Sequence, residues 1–240
     1  MFFSTEGIVL NNTPYGEADL IVTYLTKDFG LTNLFAKSPR KIKSRFGSSL
    51  EPLTYSKITF IGREEKLQRI IQSQILHPFH ELREDLKIFI NFAEVLKLII
   101  KFTPERLPVQ DLFSLLLDTL FILQKTNKIN NHILSLKLKT LKILGYLPEI
   151  FLCGICKTKI EKEIIYSKGF IICQKCKNSY LQNNSDVRII SLSEGAIALL
   201  RGLITWQIPF LERVKISEKL SEEINLFINT HVETILGYNN

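Results

Sequence analysis

The chain has 240 residues, 45% of them hydrophobic, with a formal net charge of +7 and a pI near 9.2. This length allows one large domain or two small ones with a substantial core, and the basic balance favours an acidic partner. The N-terminus lacks a signal-peptide pattern, and the longest apolar stretch, Leu112 to Leu123, is too short to span a bilayer. We therefore expect a protein of the reducing cytoplasm, with no membrane partner.

The first third of the sequence has the short apolar runs and alternation of β-strands. Turn signals at residues 11–16 and 27–30 separate some of the runs. Five strands in roughly 75 residues predict a small closed barrel, because an open sheet of that size would expose its edges. The most common solution is the oligonucleotide-binding (OB) fold, which we predict for residues 1–80. The predicted strands are Glu6 to Leu10, Ala18 to Leu25, Leu31 to Phe35, Ser56 to Ile61 and Leu67 to Ile75.

A strongly basic segment lies between the third and fourth predicted strands. It contains no acidic residue from Ala36 to Gly47, and Pro39 and Gly47 indicate a loop. Positive charge without a partner favours water or an anion, so we predict a phosphate contact for DNA, with a solvated loop as the alternative. Phe46 either stacks on a base or anchors the loop in the core. The predicted DNA-binding residues are Lys37, Arg40, Lys41, Lys43, Arg45 and Phe46.

After Pro78 the apolar residues recur at three and four positions, which predicts a helical domain at residues 81–240. The first stripe runs from Leu82 to Ile100, and two more follow before Gly145 and Pro148. Ser191 to Glu194 fits a capping box at the start of a helix that continues to Ile204. A last helix is predicted from about Ser217 to Leu236. The fold class is therefore α+β, an OB barrel followed by a helical domain.

Four cysteines, the only ones in the chain, form two Cys-x2-Cys pairs separated by sixteen residues: Cys153 with Cys156, and Cys173 with Cys176. This spacing is typical of a four-thiolate zinc site, in which each pair occupies two corners of a tetrahedron and no position remains for water. The runs 163–166 and 170–172 predict a hairpin between the pairs. We predict a zinc ribbon at about residues 150–180 with one structural zinc. Ordinary buried or disulfide-bonded cysteines are the alternative.

The sequence has no recognisable catalytic motif. It lacks a phosphate-binding glycine loop, a Gly-x-Ser-x-Gly elbow and a His-Glu-x2-His pair. Glu17 and Asp19 form a possible carboxylate pair, but such neighbours more often make salt bridges. We therefore predict that the protein is not an enzyme. A hydrolase, and an adaptor whose basic loop binds acidic protein, are the alternative functions.

Six fragments occur in order along nearly the whole chain: Thr5–Leu10, Tyr15–Asp19, Ala36–Lys37, Lys43–Gly47, Leu50–Pro52 and Leu144–Pro148, the last followed by the first cysteine pair. Together they resemble the bacterial RecO family of recombination mediators. The resemblance implies an N-terminal OB barrel joined to a helical domain with a zinc-binding insertion. It also implies binding to single- and double-stranded DNA, ATP-independent annealing, and cooperation with RecR in loading RecA onto strands coated by single-stranded-DNA-binding protein. The chain departs from the family pattern at Ser38, Pro39, Ile42 and Ser48.

Overall fold

The computed structural model describes residues 1–40, 44–63, 66–160, 163–184 and 187–237. Internal contacts divide the chain into two compact units, Met1–Ile129 (unit 1) and Asn130–Asn240 (unit 2). No helix among the described residues combines the length and the apolar character needed to cross a bilayer. The domain division near residue 80 remains a prediction.

Unit 1 begins with a closed barrel of five strands in the order β1-β2-β3-β5-β4. Every neighbouring pair is antiparallel except β3 and β5, which make a short parallel contact at Leu34 and Phe35. Closure leaves the sheet without long free edges. The prediction of a five-stranded OB-type barrel is confirmed. The strands are β1 (Phe2–Tyr15), β2 (Asp19–Thr26), β3 (Gly30–Ala36), β4 (Tyr55–Ile61) and β5 (Gln68–His77).

The predicted turn at residues 11–16 is wrong in its first part, because β1 continues to Tyr15. A bulge between Val9 and Asn11 shifts the register with β2 and bends the strand around the barrel. Beyond Ile8, β1 no longer pairs with β4. Pro14 therefore lies where the strand has a partner on one side only, which is where a strand tolerates proline.

Alternating inward side chains fill the barrel. The core cluster includes Val22 and Tyr24 from β2 and Phe60 from β4. The segment after β3 contributes Phe46 and Leu50 to the same cluster. A short 3₁₀ helix, Gly47–Leu50, follows Phe46. The chain between β3 and β4 therefore returns into the core after the basic residues.

Three helices follow the barrel in unit 1: α1 (His80–Glu84), α2 (Leu86–Phe102) and α3 (Gln110–Leu123). The connection between α2 and α3 lies against the barrel, where the Arg106 N–H donates to the Leu31 carbonyl at 2.9 Å. Gly30 has a positive φ of 63°, and a Cβ there would lie 2.1 Å from the Leu107 carbonyl oxygen. Only glycine permits this close approach.

Unit 2 combines helices with a second, smaller sheet. Its helices are α4 (Ile129–Ile143), which begins at the last residue of unit 1, α5 (Gln174–Gln182), α6 (Glu194–Thr205) and α7 (Glu218–Ile235). The sheet has the order β7-β6-β8, with strands β6 (Ile164–Ser167), β7 (Phe170–Cys173) and β8 (Ile190–Leu192). We call residues 150–184 the cysteine ribbon. The predictions of a helical region, and of a hairpin between the cysteine pairs, are confirmed.

The capping box predicted at Ser191 is wrong, because α6 begins two residues later. Ser193 is the N-cap, and its hydroxyl accepts from the Ala196 N–H at 3.2 Å. Ser191 lies in β8. The glutamate that receives the Ser193 N–H comes from another helix, since Glu223 of α7 accepts from that N–H at 3.0 Å and from the Ser193 hydroxyl at 2.8 Å. The cap of α6 therefore has the hydrogen bonds of a capping box, but the glutamate is supplied by α7 and not by the first turn of α6.

Candidate nucleic-acid interface and cysteine centre

The basic loop leaves the barrel beside the turn between β1 and β2. The Ser38 N–H donates to the Asp19 carboxylate at 2.7 Å, and the Arg40 N–H donates to the Ala18 carbonyl at 3.3 Å. Asp19, considered above as half of a carboxylate pair, therefore holds backbone in place. Lys37 and Arg40 are exposed on either side of this attachment.

The structure brings three of the five predicted cations to the surface of unit 1. Lys37, Arg40 and Arg45 are exposed, and none of them appears in an ion pair between described residues. Lys41 and Lys43 lie outside the described residues. The charge that the sequence places in this loop is thus free to meet an anion at the described positions.

Phe46 lies inside the barrel and not on its surface. Its side chain is only 3% exposed and belongs to the core cluster. The Arg45 guanidinium lies 4.9 Å from the centre of the ring, within cation–π range. A ring so deeply buried presents no free face to a base, so the structure favours the anchor role for Phe46.

The four cysteines come together as the spacing predicts. All four Sγ atoms lie within 4.8 Å of one another, and those of Cys156 and Cys173 are 3.7 Å apart. A tetrahedral zinc with Zn–S bonds of about 2.3 Å holds its sulfurs about 3.8 Å apart. The donor set and its spacing therefore fit a metal ion. In the part of the chain that the structure describes, these cysteines form the one cluster of metal-ligating side chains.

A different piece of backbone structure positions each cysteine pair. The first pair lies in a tight turn, where the Cys153 N–H donates to the Thr158 carbonyl at 2.9 Å and the Lys157 N–H donates to the Cys153 carbonyl at 3.0 Å. We call residues 152–159 the knuckle. The second pair spans the end of β7 and the first turn of α5. The Cys173 N–H donates to the Cys153 sulfur at 3.4 Å, and this hydrogen bond connects the second cysteine pair to the knuckle.

The thiols influence one another's protonation. The Thr158 hydroxyl and backbone N–H donate to Cys156 and lower the pKa of its thiol to about 6. The pKa of the Cys176 thiol is raised to about 12, first by its hydrogen bond to Cys156 and further by the other sulfurs. Four neighbouring sulfurs cannot all ionise without a compensating charge. A divalent cation at their centre supplies that charge.

Arg201, which the sequence analysis did not single out, holds the knuckle to α6. Its guanidinium donates to the Ile150 and Ile160 carbonyls, both at 3.0 Å, and lies 5.0 Å from the centre of the Phe151 ring. The two carbonyls lie on either side of the first cysteine pair. The sequence signal that could have identified Arg201 is its position as a single charged residue in an otherwise apolar stretch of α6.

A buried histidine attaches the hairpin to the last helix. His231 of α7 donates through Nε2 to the Tyr146 carbonyl at 2.6 Å, so its Nδ1 accepts from the Tyr166 hydroxyl of β6 at 2.7 Å. Burial lowers the pKa of His231, which favours this neutral form. The residue thus has a structural role, and its partners are a tyrosine hydroxyl and a backbone carbonyl.

Comparisons with known proteins agree over almost the whole chain. Residues 1–79 match the family profile described as Recombination protein O N terminal, and residues 83–238 match the profile described as Recombination protein O C terminal.

Relatives called DNA repair protein RecO align with it from end to end. The protein from Thermodesulfovibrio yellowstonii is 56% identical over 239 residues, which cover 100% of this chain and 95% of the relative. Those from Dehalococcoides mccartyi and Bacillus pumilus are 31% and 30% identical, covering 98% and 99% of this chain and 90% of each relative. The chain therefore belongs to the RecO family of DNA repair proteins.

Proposed function

We propose that this protein is a DNA-binding recombination mediator of DNA repair. It binds single- and double-stranded DNA, anneals complementary strands without ATP and, with RecR, helps to load RecA onto DNA coated by single-stranded-DNA-binding protein. The observation that carries the proposal is an exposed basic loop on a closed OB barrel, whose described cations have no described acidic partner. Binding, and not catalysis, is the proposed activity.

The main phosphate contact is the loop from Lys37 to Arg45. Phosphate groups spaced along a strand attract a row of lysines and arginines, and each neutralised phosphate releases condensed counterions. In the described part of this segment, Ser38 is attached to Asp19 and Phe46 is buried in the barrel core, while Lys37, Arg40 and Arg45 are exposed.

Substitution of Arg40, Lys41, Lys43 and Arg45 by alanine tests this contact. Affinity should fall for all sequences alike, and the plot of log affinity against log salt should flatten by roughly 0.7 per lost contact on single strands. Fluorescence anisotropy with labelled single-stranded DNA at two salt concentrations measures both effects. Lys87→Ala with Lys97→Ala removes exposed charge from α2 of the same unit and is the control. A folded quadruple variant with unchanged affinity and slope would place the DNA elsewhere.

We also propose that Cys153, Cys156, Cys173 and Cys176 bind one structural zinc ion. The site is closed, because four thiolates complete a tetrahedron and leave no position for substrate. The ion would stabilise the ribbon, whose buried cluster contains few residues.

Metal analysis tests the zinc proposal. Protein purified without chelators should contain about one zinc per chain, and Cys173→Ala should lose the metal and destabilise unit 2. DNA binding by the barrel should largely survive this change, which separates the structural role from the binding role. Purified protein without zinc, or with its cysteines paired as disulfides, would refute the proposal.

A further inference from the structure

The cysteine ribbon exposes four large apolar side chains that lie outside its buried cluster. Phe170 is 54% exposed, Ile155 49%, Phe151 46% and Leu152 39%. The buried side of the ribbon is built from other residues, with Cys153, Ile165 and Ile172 at its centre. Large apolar side chains gathered on one surface indicate a binding face.

Phe170 and the knuckle form one continuous surface. The Gly154 N–H donates to the Ile171 carbonyl at 2.8 Å, which holds the knuckle beside β7. A Cβ on Gly154 would lie 3.0 Å from both Cβ and Cδ1 of Phe170, so the ring packs against the glycine backbone. Because more than half of Phe170 remains exposed, the rest of the side chain faces solvent.

Two exposed lysines belong to the turns that precede and face β7. Lys168 is in the hairpin turn that precedes Phe170, and Lys157 follows the first cysteine pair. Neither lysine pairs with a carboxylate among the described residues. An exposed aromatic ring beside unpaired lysines is typical of surfaces that bind single-stranded nucleic acid. We call Gly154, Ile155, Lys157, Lys168 and Phe170 the ribbon tip.

We propose that the ribbon tip is a second contact for single-stranded DNA, where a base stacks on Phe170 and Lys157 and Lys168 pair with phosphates. This inference rests on the proposed DNA-binding function and adds a site in unit 2. A protein partner fits less well, because protein anchors fill pockets. The cavity of about 540 Å³ in the ribbon has polar residues such as Lys159, Glu163 and Lys175 in its lining, and none of the four exposed apolar side chains.

Phe170→Leu tests the stacking contact. Leucine keeps an apolar contact with Gly154 but lacks a ring, so single-strand affinity should fall about 5- to 150-fold with an unchanged salt slope. Anisotropy with labelled oligothymidine measures this, and zinc content with thermal melts shows whether the ribbon is intact. Phe210→Leu changes a similarly exposed phenylalanine outside the ribbon and should leave affinity unchanged.

Lys157→Asn with Lys168→Asn tests the charges. Both lysines have a positive φ, 58° and 46°, which asparagine tolerates well, so the charges are removed without disturbing either turn. The salt slope should flatten by roughly 0.7 for each lost contact. Lys215→Asn with Lys219→Asn removes the same charge from exposed positions outside the ribbon and should not change the slope.

The wild-type titration reports on the proposed function, and the ribbon variants report on this inference. Wild-type binding that both ribbon variants weaken as expected supports the second contact. Intact ribbon variants with wild-type affinity and slope overturn it while DNA binding by the barrel stands. A wild-type protein that does not bind DNA overturns both proposals.

Discussion

At the scale of single residues, Phe46 determines how the basic loop is held. Its ring lies in the barrel core while the neighbouring Arg45 remains exposed, with its guanidinium against the ring. Leu50, at the end of the following 3₁₀ helix, is buried in the same cluster. The described chain next to Arg45 is therefore attached to the core by an apolar side chain that itself has no free surface for DNA.

Phe46→Ala should destabilise unit 1 and leave DNA recognition largely intact. Removal of a buried phenylalanine ring costs about 3–5 kcal/mol of unfolding free energy. Urea unfolding measures the loss, and anisotropy at a temperature where the variant is folded measures affinity.

Phe46→Leu separates the anchor role from base stacking. Leucine keeps most of the buried apolar volume, so this variant should lose less stability than Phe46→Ala and should bind DNA as the wild type does. If Phe46 stacked on a base, this variant would instead lose about 1–3 kcal/mol of single-strand affinity at full stability. That second result would contradict the anchor role.

At the scale of secondary-structure elements, α6 orders the cysteine ribbon through one side chain. Arg201 donates to carbonyls on both sides of the first cysteine pair, so it limits the separation of the two ends of the knuckle. Both bonds come from one nitrogen, Nη2, which is held in place by the planar guanidinium against the Phe151 ring, and an ammonium group has no such plane to stack.

Arg201→Lys should therefore loosen the knuckle although the charge is kept. Hydrogen bonds from charged donors contribute about 1.5–3 kcal/mol each, and we expect a loss of this order in the local stability of the ribbon. Hydrogen exchange of the Cys153 and Gly154 amides, and the rate of zinc release to a chelator, measure the effect.

Arg213→Lys is the matched control, since Arg213 is exposed and lies outside the ribbon in the same unit. It should leave both readouts unchanged. Equal exchange and release rates in Arg201→Lys and in the wild type would show that α6 does not order the knuckle.

At the scale of the whole molecule, the net charge of +7 and the basic loop predict strand annealing without a nucleotide. Positive charge bound to two complementary strands reduces the repulsion between their phosphates. Added salt screens this repulsion and also weakens the attraction between the protein and each strand. Annealing should be faster than for free strands at low salt and should slow as salt rises. Fluorescence quenching between labelled complementary strands measures the rate.

The quadruple loop variant should anneal more slowly at the same salt concentration. Addition of ATP should leave the wild-type rate unchanged, because the sequence has no phosphate-binding glycine loop. A rate that requires ATP, or no acceleration at low salt, would refute the electrostatic mechanism.

The sequence by itself determined the features that depend on local periodicity and spacing. Alternating apolar residues predicted the five barrel strands, and recurrence at three and four predicted the helical region that follows. The single helix expected from Leu82 to Ile100 is wrong, because Asp85 ends α1 and caps the start of α2. Two Cys-x2-Cys pairs around a short hairpin predicted the cysteine cluster, because each pair needs only one tight turn to present two sulfurs. These patterns are carried by neighbouring residues.

Only the tertiary structure decided which side chains are buried and which partners they find. Phe46 faces the core, Glu223 completes the cap of α6, and Arg201 holds the knuckle, each through residues distant in sequence. The exposed face of Phe170 likewise follows from how the knuckle packs on β7. The local sequence pattern predicts which face of a helix or strand is apolar. Burial and hydrogen bonding depend on which other element packs against that face, and this pairing of elements is determined only when the chain folds.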